Sequence, residues 1–428
     1  QYVITGQLVD TGGEYRYRLN GINVETAAHE ISARLDVRND RRFRELSAAL
    51  QKAAPEVRIA GYGVGGSSSS LPMTAPRTAG TFLDRGITFA SRDEYALAIA
   101  DFTEAIRLDP GMAAAWLLRG RAQVASAARV TGVGENFSSI GTTITKGADV
   151  SETKDAVYDR AIADLTEAVR LDPHNARAYQ ERAGAYHQKG DYDRAIADFT
   201  QAIQLDPEYL AAYNNRGLAY SHKGEYDKAI ADLDHAVRLD PNRATVYRNR
   251  GGVYRGKGEY DKAIADLDHA VRLEPDYAIA YNERGYIYNR KGEYDKAIAD
   301  LDRAIELDYE YAVAYRNRGD AYKNKGEPDK AIADYTRAVR INPGYAVAYN
   351  QRGLAFRNKG ELDIAIADYT EALRLDPGYA TAYHNRGIVH YGKKDYARAR
   401  ADWEKALEID PNYAAARRRL EALQKEGH

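Results

Sequence analysis

From Ala79 onward the chain repeats itself every 34 residues, and that period limits the fold more than any other feature. Counted from residues 79, 113, 176, 210, 244, 278, 312, 346 and 380, the fourth position of each unit is aromatic, from Phe82 and Trp116 to Tyr349 and Tyr383. The eighth is glycine, or alanine at Ala183, while the twentieth (Ala98 to Ala399) and the twenty-seventh (Ala105 to Ala406) are alanine throughout. Proline closes eight of the nine units, and Tyr309 stands in its place in the other. Within a unit, a Lys-Gly dipeptide such as Lys223-Gly224 ends a first helix, putting a cation at its negative pole and a glycine where the chain turns. Asp-Pro, or its Glu-Pro and Asn-Pro variants, stops a second helix and starts the next unit. Small residues at facing positions let the two helices approach, and the aromatics fill the space between pairs. One pair cannot bury its apolar face alone, so the units must stack.

These offsets resemble the tetratricopeptide repeat (TPR) along most of the chain. The resemblance implies a mostly α fold, a right-handed solenoid of nine helix pairs over 79–428, with 414–427 as a charged capping helix. About 19 helices are expected, and no strand within 176–428. Two departures stand out. The second unit carries an insertion near 129–154, after which its second helix resumes at Ala161. The insertion reads either as a passive surface loop or as a lid held on the solenoid by Phe137 and its apolar neighbours. At Tyr309 the missing proline predicts a turn that runs more helically.

Residues 1–52 have a different character. Tyr2–Val9 is β-rich, Asp10-Thr11-Gly12-Gly13 is a turn cluster, and Tyr15–Val24 alternates, which together predict a hairpin. A third strand is expected over 31–37 and a helix from Asp40 to about Lys52. The string VITGQLVDTGGEYRYRLNGINVET resembles the later part of the extracytoplasmic α/β domain of the curli-secretion lipoproteins and the LpoB-type penicillin-binding-protein activators. The resemblance implies a partial α/β domain in a bacterial envelope protein, periplasmic or outer-membrane-associated. The alternative is a cytoplasmic protein, and a chain opening at Gln1 inside a strand-like segment is no argument for it. Residues 53–78, rich in Gly, Ser and Pro, read as a flexible linker.

Two ladders carry the candidate chemistry. Every unit has arginine at its seventh position (Arg85 to Arg386) and aspartate at its twenty-third (Asp101 to Asp402). One reading is a basic ladder for an acidic ligand. The favoured one is a structural Arg–Asp pair, because the two sets match one for one, as half-buried charges require. The fifth and sixth positions supply Asn214, Asn215, Asn249, Asn282, Asn317, Asn350, Gln351 and Asn385. Amides offer both donors and acceptors, so a row of them suits the backbone of an extended peptide. The row resembles the asparagine ladder in the TPR groove of O-linked N-acetylglucosamine transferase, which implies peptide binding in the concave groove. The alternative is a solvated helix face. Glu181 and Glu283 interrupt the row, and its positions are expected to be exposed enough that alanine would barely alter folding. His187, His222, Arg255, Arg290, Lys323 and Arg357, near the ends of first helices, either bias the groove toward acidic segments or simply complement helix dipoles.

Composition removes other classes. There is no cysteine, hence no disulfide, thiolate nucleophile or cysteine-bound metal. A net charge of −2 gives no general attraction to nucleic acid, and no apolar run approaches the roughly 18 residues that span a bilayer. No metal-protease, phosphate-loop or nucleophile-elbow motif is present, so no enzyme, cofactor or metal is expected. The sequence therefore predicts a scaffold for protein or peptide partners. The rival is an envelope regulator that activates a cell-wall enzyme through residues 1–52, with the repeats as spacer.

Overall fold

The computed structural model describes residues 2–10, 15–23, 78–130 and 154–426. The chain divides into two units, Gln1–Thr74 and Ala75–His428. In the first, β1 (Tyr2–Asp10) and β2 (Tyr15–Asn23) pair antiparallel, with Tyr2 opposite Asn23 and Asp10 opposite Tyr15. The expected hairpin is therefore present. The third strand at 31–37, the helix at 40–52 and the linker lie outside the described residues, as does the insertion with Phe137.

The second unit contains, among the described residues, nine helix pairs followed by a last helix, and no strand. Each pair has an A helix and a B helix: α1 (Ala79–Ser91) and α2 (Tyr95–Leu108), α3 (Ala113–Val130) and α4 (Lys154–Leu171), α5 (Ala176–Gln188) and α6 (Tyr192–Leu205). Next come α7 (Leu210–His222) and α8 (Tyr226–Leu239), α9 (Ala244–Lys257) and α10 (Tyr260–Leu273), α11 (Ala278–Lys291) and α12 (Tyr294–Leu307). The array closes with α13 (Ala312–Lys325) and α14 (Pro328–Ile341), α15 (Ala346–Asn358) and α16 (Leu362–Leu375), α17 (Ala380–Gly392) and α18 (Tyr396–Ile409), and α19 (Ala414–Lys425). α4 begins at Lys154, ahead of the expected Ala161, because the preceding Asp155 to Arg160 continues a helical pattern.

The punctuation acts as the chemistry requires. Gly258, Gly292 and Gly326 cap α9, α11 and α13 in the left-handed conformation (φ 84, 81 and 89°), where a side chain would be strained. In the first and last pairs Asp93 (φ 61°) and Lys394 (φ 65°) occupy that position and bear the strain. The expectation at Tyr309 is corrected. α12 stops at Leu307 like every other B helix, and Asp308 is extended there (φ −143°, ψ 95°). The Asp308 carboxylate accepts the Glu310 N–H at 3.0 Å, as Asp206, Asp240, Asp376 and Asp410 do in their turns. The aspartate terminates the helix, so proline is dispensable.

Close approach of A to B sets the core. The alanines at the twentieth and twenty-seventh positions are buried throughout. The eighth-position glycines face a large B-helix side chain: a Cβ on Gly319 would lie 2.7 Å from Tyr335 Cε1, and one on Gly387 2.5 Å from Trp403 Nε1. Bulk is thus moved onto one helix, and Trp403, Tyr335, Tyr369, Phe102 and Phe199 are fully buried.

Candidate functional site: the A-helix seam

The arginine ladder is structural. In all nine pairs the A-helix arginine donates from Nε and Nη2 to both oxygens of its B-helix aspartate, as Arg250 does to Asp266 (2.8 and 2.6 Å) and Arg318 to Asp334 (2.8 and 2.7 Å). Both partners are largely buried from Arg119 onward; Arg182 and Asp198 side chains keep 15% and 11% of their surface. The same guanidinium lies over the fourth-position aromatic, 4.9 Å from the Trp116 centroid and 5.4 Å from that of Tyr315. From Arg119 onward the remaining Nη1 reaches the preceding B helix, where Asp234, Asp268 and Asp302, or threonines such as Thr200 and Thr370, accept it. One arginine therefore ties helix A to helix B and each pair to the one before. The hydrogen bond and charge of its aspartate raise the Arg182, Arg216 and Arg352 pKa values further above their ordinary range.

The amide row is a second inter-repeat tie. Asn249 donates to Asn214 Oδ1 (2.8 Å), Asn317 to Asn282 (2.8 Å) and Asn385 to Asn350 (3.0 Å). The sixth position of one A helix thus meets the fifth of the A helix before it. Asn214 also donates to Asn215 (3.0 Å), and the Gln351 amide oxygen accepts from Lys323 (3.2 Å). Asn282 and Asn350 donate to the hydroxyls of Tyr311 and Tyr379 (3.2 and 3.3 Å). Glu283 interrupts the row because its fifth-position partner is Arg248, which donates from Nη2 and Nε to Glu283 Oε1 (2.5 and 3.0 Å). Glu181, the other interruption, sits 3.5 Å from Arg121 and 3.8 Å from Arg177, and burial raises its pKa against their pull.

This corrects the expected exposure. Asn282, Asn317 and Asn350 are 5%, 3% and 3% exposed, and the other five are half-buried. Adjacent A helices pack closely enough to turn the amides onto one another, leaving only part of their hydrogen-bonding capacity outward. The sequence reading missed the tyrosine that precedes an A helix. Tyr311, Tyr345 and Tyr379 reach back to Asn282, Arg316 (3.0 Å) and Asn350, and their recurrence at 34 residues was the available signal.

Beside the seam a cavity of about 490 Å³ opens between α9, α11, α13 and the first residue of α10, lined by Arg255, Tyr260, Asn282, Glu283, Tyr286, Arg290, Val313, Arg316 and Asn317. It holds two of the eight amides. Arg255 lies over the Tyr286 ring, 5.7 Å from its centroid. Arg316 is held by the Tyr345 hydroxyl and by Asp320, 3.2 Å away. His187 and His222, grouped with these cations in sequence, are elsewhere: their rings lie 5.1 Å apart, and Tyr192 stacks on His222. Burial, with some repulsion from His222, lowers the His187 pKa to about 4, so it is neutral near pH 7 and adds no cation. Among the described residues no three His, Asp or Glu side chains are grouped to hold a metal, and no helix is long and apolar enough to cross a membrane.

Helix pairs joined by intra-pair clamps and inter-pair seams define an α-solenoid built from helical-hairpin repeats. Family profiles described as TPR repeat or tetratricopeptide repeat match 83–126, 157–197, 183–224, 208–274, 267–299, 285–326, 312–345, 353–394 and 380–413, together more than half of the chain. The chain belongs to the tetratricopeptide-repeat family. Among solved structures it is similar to the APC/C hetero-tetramer Cut9–Hcn1, at 17% identity and TM-score 0.50 over 81% of this chain and 76% of that one. It is also similar to yeast Tom70, at 16% identity and TM-score 0.50 over 82% and 89% of the two chains. A tetratricopeptide repeat protein from Parabacteroides merdae matches at 21% identity and TM-score 0.48 over 58% of this chain and 98% of that one. These likenesses concern the fold. No curated protein matches the chain.

Proposed function

We propose that this protein is a non-catalytic scaffold that holds an extended peptide, or an extended segment of a protein partner, against the A-helix seam. Asn214, Asn215, Asn249, Asn282, Asn317, Asn350, Gln351 and Asn385 would contact its backbone. The observation that carries this reading is the seam itself: amides in a fixed register from repeat to repeat, beside a cavity between three A helices. An asparagine has two N–H donors and two lone pairs, so a seam bond leaves capacity for a ligand while fixing where the amide points. The partner is protein rather than nucleic acid, and no cofactor takes part. The test is a random peptide library screened against the full chain, then the selected peptide titrated into Asn282→Ala/Asn317→Ala. Changing both members of one pair avoids leaving either amide facing an apolar methyl. Weaker binding by a variant with an unchanged helical spectrum supports the proposal. Undiminished binding places the partner elsewhere.

The β1–β2 pairing supports a second reading, because its two strands fall within the VITGQLVDTGGEYRYRLNGINVET string and the residue before it. On that reading residues 1–52 are part of an α/β domain of the curli-lipoprotein or LpoB-activator type. The protein would act in the bacterial periplasm or at the outer membrane on a cell-wall enzyme, with the repeats as spacer. A pull-down comparing residues 1–52 with 79–428 separates the two, since each reading assigns the partner to a different piece.

A further inference from the structure

Resting on the peptide-binding reading, we infer that the A-helix face from Ala244 to Lys425 takes an acidic peptide, its carboxylates seated first between Arg255 and Arg290 and then against Arg357, Arg418 and Arg419. The imbalance of charge on this face is specific. Its inner acids are already engaged: Glu283 by Arg248, with side-chain exposures of 5% and 9%, and Asp320 by Arg316, Lys323 and the Tyr335 hydroxyl; Glu421, on the closing helix, is exposed. The five arginines are not. Among the described residues none of them has a carboxylate within 4.0 Å. The capping lysines of the same A helices show the contrast, since Lys257, Lys291, Lys325 and Lys359 each bond an aspartate of the preceding B helix at 2.6–2.8 Å. A solenoid that pairs its cations so regularly leaves these arginines without a carboxylate where the cavity opens and where the array ends, Arg357 reaching only the Asn358 amide oxygen at 3.4 Å.

The two clusters are built differently. At the first, Arg255 and Arg290 line the cavity, and the Tyr286 ring under Arg255 holds that guanidinium in place while Val313 adds an apolar wall. A planar carboxylate suits such a fork. At the second, Arg418 and Arg419 stand 34 residues beyond His384 and Asn385, so α19 continues the seam positions with cations in place of amides. The His384 ring stands 5.3 Å from that of Tyr413, the residue that opens α19, so the start of α19 lies against the end of the amide row; Arg419, Arg357 and Arg418 add to burial in depressing the His384 pKa. Between the clusters lie amides and Asp320, whose carboxylate Arg316 and Lys323 share, so the oligothymidylate arm of the test decides whether a phosphate backbone competes. With a net charge of −2 the whole chain does not attract anions; the attraction is local.

The test is fluorescence anisotropy on the full chain with four labelled probes: peptides alternating serine with glutamate, glutamine or lysine, and an oligothymidylate. The glutamate peptide should bind at least about tenfold more tightly than the glutamine peptide at low salt, and the advantage should shrink as salt is added. Arg255→Glu with Arg290→Glu should abolish that advantage, and the milder Arg255→Gln with Arg290→Gln should reduce it. Arg418→Glu with Arg419→Glu should weaken it separately. Arg340→Glu, on exposed B-helix surface, should leave it intact. Equal binding of the glutamate and glutamine peptides, lost in Asn282→Ala/Asn317→Ala, would overturn this inference and leave the scaffold reading standing. Oligothymidylate binding as tight as the glutamate peptide, or equal loss in Arg340→Glu, would overturn it as unspecific charge. Binding of none of the probes would overturn it too.

Discussion

The Arg248–Glu283 pair offers a rescue experiment that the neighbouring repeats have already designed. Both side chains are more than nine-tenths buried, and Arg248 directs two donors onto one Glu283 oxygen. Two unit charges about 4 Å apart attract by about 4 kcal/mol at an effective dielectric near 20. Removing one partner of a buried pair typically costs about 3–5 kcal/mol, because the other charge is stranded. Glu283→Gln and Glu283→Asn should therefore each destabilise α9 and α11 by that amount, and Arg248→Asn by a similar one. The double variant Arg248→Asn/Glu283→Asn recreates, in the same register, the amide pair seen at 214/249, 282/317 and 350/385. It should lie within about 1–2 kcal/mol of the parent, since an exchanged hydrogen bond is worth about 0.5–1.5 kcal/mol and the lost stem of Arg248 accounts for the rest. Urea is the denaturant to use, because guanidinium would screen the pair. A repeat array need not unfold in two states, so amide exchange in Ala244–Lys257 and Ala278–Lys291 should accompany the midpoints. A neutral Glu283→Gln, or a double variant as damaged as the sum of the singles, would refute the reasoning.

Gly319→Ala places a Cβ 2.7 Å from Tyr335 Cε1 and 3.2 Å from the Ala331 carbonyl, so it should cost about 1–3 kcal/mol in urea melts. Tyr369 and Tyr335 occupy equivalent buried sites, but Tyr335 donates to Asp320 at 2.7 Å whereas the Tyr369 hydroxyl has no partner among the described residues and Leu354 takes the aspartate's place. Tyr369→Phe should thus be neutral or stabilising and Tyr335→Phe destabilising by about 1 kcal/mol or more, as thermal midpoints would report. His187 has a folded pKa of about 4, below its ordinary value of about 6.5, so the unfolded chain binds more protons between the two. Its contribution to stability is complete above about pH 6.5 and falls as pH drops, by about 2 kcal/mol at pH 5 and about 3 kcal/mol at pH 4. Comparing His187→Phe with the parent across that window should show the parent losing more stability on the acid side.

The repeat period, the Lys-Gly and Asp-Pro stops and the facing alanines were legible because each is a local signal that recurs along the array, the alanines in all nine units, the closing proline in eight and Lys-Gly in six. The Arg–Asp clamp was legible for the same reason: matched charges recur one for one, and the structure joins them within each pair. The amide seam was not. Equal offsets suggest parallel, outward-facing rows, whereas the stacking of A helices pairs unequal ones, as Asn317 with Asn282, and draws them inward. The same stagger explains Glu283, which read as a break in the row and is the counterpart of Arg248. At Tyr309 the weight given to proline was misplaced, since Asp308 stops the helix. The sequence assigns Tyr311 and Tyr379 no role, although their hydroxyls belong to the seam.

The most direct test of the scaffold reading is hydrogen–deuterium exchange on the full chain with and without the best peptide from the library. Protection should gather on the A helices, foremost Ala244–Lys257, Ala278–Lys291 and Ala312–Lys325 around the cavity, with the B helices unchanged. Protection confined to the B helices, or to the β1–β2 hairpin, would contradict it.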